Sequence, residues 1–301
     1  MNSLLSSINT IFPGSNSFVF NNNSISFKNC NKTYIIKHNK NNIIEKYNYL
    51  KSRGFNSVPN ISYYNNDVYV YERINSITNP DEYKIKDIIN LLIQLHSKTT
   101  YYKELSPDEV KEIYEDIIIK IKNTYDYYMN LIDKIENELY YSPSNYLLLR
   151  NSSLIFNCLD FSNNVIKKWY ESVSNNRKVR FVLLHNNLSL DHEINNGENK
   201  ILLSFDSSKD GMCIYDIIML FKKYYYTFDF IALFKEYNSK MKLSNDEERL
   251  LFALLYIPDK IEFNDAEISN TKDVYNLCNY LYKVNDLFMK NKPKDTEEKD
   301  N

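Results

Sequence analysis

Between residues 179 and 208 two apolar runs, "VRFVLL" and "ILLSF", enclose a polar segment whose side chains could do acid–base or metal chemistry. His185 and Asn187 follow the first run, Asp191 and His192 come four and five residues after Asn187, and Ser204 and Asp206 close the second. An imidazole or a carboxylate can take up and return a proton, and a carboxylate also suits a hard cation. The amide of Asn187 and the hydroxyl of Ser204 supply hydrogen bonds but neither a base nor a negative ligand. On an extended strand Asp206 would point to the same side as Ser204 but roughly 6 to 7 Å further along, too far to serve the same metal position. Asp191 enters such a pocket only if the loop refolds, and His192 is a candidate base or metal ligand. The plainer readings are a turn or helix-capping acid for Asp206 and a surface loop residue for His192.

These groups need a scaffold, and the chain changes character once along its length. Residues 17 to 74 carry short alternating or β-branched runs, "SFVFN", "SISFKN", "TYIIKH", "VPNISYY" and "DVYVYERI", which read as an antiparallel sheet. Between the third and fourth runs Ile43, Ile44, Tyr47 and Leu50 repeat at helical spacing, and Gly54 stops that helix. From about residue 80 the period is helical over 81–98, 106–141, 160–174, 214–227, 229–241, 244–256 and 271–290, interrupted by the strand pair around Asn196-Gly197. Ser106 before Pro107, Asp108 and Glu109 marks a helix start, and Ser244 with Glu247 reads as a capping box. The organisation this predicts is an α+β chain: a β-rich lobe with one helix over 1–75, a larger mostly helical lobe over 76–290, and a disordered tail over 291–301.

Composition narrows the function classes. The 301 residues are 43% hydrophobic and 25% charged, enough for a substantial core, and the net charge of −2 gives no general attraction to nucleic acid or anionic lipid. Cys30, Cys158, Cys213 and Cys278 lie far apart without a CxxC pair, and the start has no basic segment leading into an apolar one, which together predict a reduced, cytoplasmic protein. The longest apolar run, "LLFALLYI", falls far short of the roughly 20 residues of a membrane span.

The order of segments resembles the aminoglycoside phosphotransferase and choline kinase family, closest to its spore-coat-associated branch in Firmicutes. "KTYIIKH" is similar to the lysine-bearing third strand, "IINLLIQLHSKT" to a helix near the start of the second lobe, "LLHNNLSLDHEI" to the catalytic loop, and "ILLSFDSSKDGMCIYDIIMLFKKY" to the metal-binding loop and the helix after it. The resemblance spans most of residues 17–256 and implies a bilobal, protein-kinase-like fold.

Residue by residue, it also implies lost chemistry. His185 matches the family's loop histidine, Asn187 replaces its catalytic Asp, and His192 replaces a metal-holding Asn. Ser204 replaces the Asp that binds magnesium. The phosphate-cradling turn between the first two strands reads "NNNS" without glycine. Lys37 matches the phosphate-contacting lysine, and Glu45 is the candidate partner, two residues off the family register. His185 and Asp216 correspond to anchors of the catalytic loop. The implied protein is a pseudokinase acting as a binding or scaffold module for a protein partner or small metabolite, in sporulation or the envelope. Its rivals are an active small-molecule phosphotransferase with relocated carboxylates and a nucleotide or metabolite sensor without turnover. ATP and magnesium are expected to bind weakly if at all, and no residue is assigned as a metal ligand.

Overall fold

The computed structural model describes residues 2–21, 23–40 and 42–291; apart from Asn291, the tail expected to be disordered lies outside the described residues. In chain order the elements are α1 (Asn2–Ile11), β1 (Asn16–Asn21), β2 (Ser24–Asn29), β3 (Lys32–His38), α2 (Ile43–Ser52), β4 (Ile61–Tyr64), β5 (Val68–Glu72) and α3 (Asp81–Thr99). They continue as β6 (Tyr101–Glu104), α4 (Pro107–Glu136), α5 (Pro143–Arg150), α6 (Ser152–Asn175), β7 (Lys178–Leu184), β8 (Glu193–Asn195), β9 (Lys200–Leu202) and β10 (Lys209–Gly211). The chain ends in α7 (Ile214–Tyr224), α8 (Phe230–Lys240), α9 (Asn245–Leu255) and α10 (Glu267–Lys290). Two compact units result: one runs to Thr100 and resumes over Val182–Gly211, and the other holds Tyr101–Phe181 and continues from Met212.

In the first unit the alternating runs form an antiparallel sheet in the order β1-β2-β3-β5-β4. Ile25, Phe27, Ile36, Val68 and Val70 point to one buried cluster, and Leu4 and Ile8 of α1 close it. Each such aliphatic burial contributes about 1.5–3 kcal/mol, which accounts for a helix in a Ser- and Asn-rich segment with weak helical preference of its own. Gly54 (φ +78) ends α2 in the left-handed conformation, with its N–H on Lys51 O and the Phe55 N–H on Leu50 O.

The hairpin β8–β9 turns at Asn196-Gly197, where the Asn196 side-chain oxygen accepts from the N–H groups of Glu198 and Asn199. It is tied to α3 through Asp87, which accepts from Lys200 and from Asn195 (3.5 Å). Glu193 is buried on the same face of β8, and its Oε1 has no hydrogen-bond partner among the described residues. Burial, then the neighbouring Asp87, push its carboxyl above the usual range, against Lys200 and Lys84. The folded state therefore keeps a proton that the unfolded chain releases above about pH 4.3. Stability from this group is complete below that pH and is lost as pH rises through the raised folded value. Glu193→Gln should melt above the parent at pH 7 and converge with it near pH 4, read by melting temperatures across that range.

The second unit is mostly helical. α6 packs against α4 and α9, α7 against α9, and α10 against α5, burying Tyr128, Trp169, Phe221 and Phe252. Ser106 with Glu109 and Ser244 with Glu247 both form capping boxes. The three largest differences from the periodicity are at helix boundaries. The helix expected over 106–141 ends at Glu136, because Ser142-Pro143 starts a new one: Pro disfavours helical backbone in the residue before it, and Ser142 Oγ accepts from Asn145 N–H. α6 begins at Ser152, not 160, and α10 at Glu267, not 271. Cys158, Cys213 and Cys278 are buried and Cys30 is exposed. No helix among the described residues is long and apolar enough to cross a membrane.

Candidate functional site

Within the first unit, a cavity of about 1020 Å³ is lined by β3, the β1–β2 turn and the two loops that flank the β8–β9 hairpin. Lys37, next to the fully buried Ile36, reaches into it with its side chain only 15% exposed. Its Nζ donates to Ser204 Oγ at 3.2 Å and stands 3.8 Å from Asp206 Oδ2. Burial lowers the pKa of this ammonium, and Asp206 opposes the shift.

Asp206 does not stand on a strand. β9 ends at Leu202, Ser204 adopts left-handed backbone (φ 65, ψ 50), and residues 205–207 form a 3-10 turn. The 6 to 7 Å displacement expected from strand spacing therefore does not apply: Ser204 and Asp206 both face Lys37. The Tyr69 hydroxyl donates to Asp206 Oδ1 at 3.4 Å. Burial, reinforced by the carboxylate of Asp206, pushes the Tyr47, Tyr69 and Tyr71 phenols far above their ordinary range, so all three remain neutral hydrogen-bonding groups.

Asn187, Asp191 and His192 line the same cavity. His192 Nδ1 lies 2.6 Å from Asn187 O, and since a carbonyl only accepts, Nδ1 carries the proton. His185 is fully buried, donates through Nε2 to Leu203 O at 2.7 Å, and packs its ring edge-on to Phe205. Leu203 N–H donates to His192 O (2.8 Å) and Asn186 Nδ2 to Ser207 O (3.2 Å), so the two loops are laced together.

Glu45 is not brought to Lys37. Ile43, Ile44, Tyr47 and Leu50 take the inward face of α2, which leaves Glu45 exposed beside a separate shallow depression with Tyr49. Its neighbour Lys46 turns toward the 205–208 turn and donates to Ser208 O at 2.6 Å. Burial lowers the pKa of Lys46, opposed by Asp206 and Asp210. Asp216 lies in the second unit, buried in the first turn of α7.

Sequence reasoning passed over Lys46 and Tyr69. Tyr69 and Tyr71 alternate on β5 as packing residues do, and nothing in the chain marks one as a carboxylate's partner. Magnesium, which the family resemblance implies, takes near-octahedral oxygen ligands including one or two carboxylates. In this cavity Asp206 is already faced by an ammonium and a phenol, the Ser204 hydroxyl holds Lys37, and Asn187 is neutral. Among the described residues no three His, Cys, Asp or Glu side chains are grouped to hold a metal. The carboxylates that line the cavity are Asp191 and Asp206, the second already facing Lys37.

No protein-family model matches the chain, and no curated protein matches it in sequence. Among solved structures it is similar to an aminoglycoside phosphotransferase from Alicyclobacillus acidocaldarius, with a TM-score of 0.69 and 10% identity over 96% of this chain and 95% of that one. It is also similar to AMP-bound spectinomycin phosphotransferase, with a TM-score of 0.53 and 12% identity over 94% and 97% of the two chains. At such identities the likeness is one of fold: the chain has the α+β, kinase-like fold of these phosphotransferases, an antiparallel sheet with many helices.

Proposed function

We propose that the chain is a pseudokinase, a kinase-fold binding module whose cleft takes a nucleotide without transferring its phosphate. The observation that carries this reading is the set of groups around Lys37. A buried ammonium faces the cavity, donating to Ser204 and standing 3.8 Å from Asp206, while the positions matching the family's catalytic and metal-binding carboxylates hold an amide, Asn187, and a hydroxyl, Ser204. An ammonium attracts phosphate with or without a metal. An amide accepts no proton from a substrate hydroxyl. A role as a scaffold in sporulation or the envelope of a Firmicute rests on the spore-coat branch resemblance by analogy of family, and a cytoplasmic setting on the scattered, unpaired cysteines.

One observation favours a second reading, an active phosphotransferase with a relocated carboxylate: Asp206 faces Lys37 at 3.8 Å, and the Nδ1-protonated tautomer of His192 leaves the basic lone pair on Nε2. Calorimetry with ATP, in EDTA and in excess magnesium, separates the two. The binding module should give the same weak affinity in both. Lys37→Met should weaken it about 10- to 100-fold, the scale of one hydrogen bond to a charged group. Tight binding only with magnesium would favour the enzyme, and no binding in either condition a scaffold alone.

A further inference from the structure

Along α10 the inward face is accounted for: Val274, Leu277, Leu281, Val284 and Leu287 are buried where the helix packs on α5 and α6. The opposite face carries Ile268, Tyr275, Tyr282 and Met289, each more than half exposed. Single exposed apolar residues are ordinary on any protein surface. These four recur every seven residues and so form one line about 30 Å long. A repeat of this period drifts by about 20° per heptad on a straight helix, and two such lines stay in contact when their helices cross at about 20°.

The polar residues beside this line decide which partner suits it. The row four residues further on reads Lys272, Asn279 and Asp286, with Lys272 and Asp286 exposed. Turned antiparallel to a second copy of itself about an axis near Asn279, α10 brings Ile268 level with Met289 and Tyr275 level with Tyr282. The same register sets Lys272 level with Asp286 and Asn279 level with itself. The two ends agree in sign as well: residues 267–277 hold two acids and one base (Glu267, Asp273, Lys272), and residues 278–290 two bases and one acid (Lys283, Lys290, Asp286). A parallel copy would instead set Lys272 beside Lys272 and Asp286 beside Asp286, and like charges in register oppose association. Exposed ion pairs add little affinity, but they select register and orientation.

We propose that the outer face of α10 is a dimerisation surface, pairing antiparallel with α10 of a second copy of this chain through Ile268, Tyr275, Tyr282 and Met289. The proposal is independent of the nucleotide cleft, whose lining residues belong to the other unit. A line one side chain wide covers less area than a standard interface, so the dimer is a weak one, with a dissociation constant of about 1–100 μM.

The test is sedimentation velocity of the full chain from about 1 to 300 μM, a range that brackets such an affinity. The parent should pass reversibly from monomer to dimer across it. Lys272→Glu and Asp286→Lys each bring like charges together, and each should weaken the dimer at least about tenfold. An equimolar mixture of these two variants restores opposite charges at both contacts and should dimerise as the parent does. The mixture also controls for folding, since it can pair only if both variants are intact. The double variant Tyr275→Ser, Tyr282→Ser removes the central rings and should lose at least about tenfold at an unchanged melting temperature. A chain that stays monomeric over the whole range would overturn the proposal. So would a dimer that either charge reversal or the tyrosine variant leaves intact, or a mixture no more dimeric than its components.

Discussion

Given Mg·ATP and amino alcohols, aminoglycosides or sugars as acceptors, the protein is expected to transfer no phosphate above background, and Asn187→Asp alone is expected not to change that. A positioned general base contributes about 10²- to 10⁴-fold, and the Asn187 amide cannot act as one. Restoring the carboxylate supplies one part only. Ser204 still offers a neutral hydroxyl already engaged by Lys37, and Asp206 is tied by the same lysine and by Tyr69. The double variant Asn187→Asp, Ser204→Asp returns both carboxylates, and a radiolabelled-ATP transfer assay should detect turnover there first. Two results would reverse the reading. One is parental turnover that Asp206→Ala abolishes, and the other is activity gained by Asn187→Asp alone, since either would place the metal on Asp206.

Replacing Arg180 with alanine should cost about 3–5 kcal/mol, the usual result of leaving one member of a buried ion pair alone. The Arg180 and Glu247 side chains are only 15% and 6% exposed. Glu247 also accepts from Ser244 N–H at 2.8 Å and lies near the thiol of buried Cys213, so it cannot turn to water without opening the start of α9. Without the guanidinium, the Glu247 carboxylate is left buried with no cation against it. Urea unfolding at pH 7.5, with unchanged m-values, reads the effect. Glu247→Gln in the Arg180→Ala background should recover part of the loss. A loss below about 1 kcal/mol would mean that the pair behaves as a surface ion pair.

Much of the fold was legible because local signals agreed with tertiary ones. The β-branched alternation of residues 17–74, the Gly54 stop and the Ser106 and Ser244 caps are short-range devices, and each forms where its residues stand. What escaped depends on distant partners. α1 is a helix because Leu4 and Ile8 fill a gap over the sheet, and the exposed β6 exists because β7 runs beside it. At the candidate site the residue types were readable but their approach was not. Serine rarely adopts positive φ, so nothing in "LLSFDSS" announces the turn that swings Asp206 round to Lys37. Similarly, charge and spacing nominated Glu45, whereas the packing of Ile43, Ile44 and Tyr47 decides that Lys46 faces the turn instead.

Asn186 (φ 55) and Ser204 (φ 65) hold left-handed backbone without being glycine, at about 1–2 kcal/mol each. In a chain with only four glycines, Ser204 lines the cavity and Asn186 immediately precedes the lining residue Asn187, and both side chains are fastened, Asn186 to Ser207 O and Ser204 to Lys37. The conformational entropy of these loops is thus surrendered during folding and not at the moment of association. On the proposed reading, an incoming anion would meet loops already held in place, so its affinity would not be eroded by ordering the chain around it, and its arrival rate would be set by encounter instead of by loop rearrangement. Glycine at either position would relieve strain and return the loop to an ensemble, trading recognition for stability.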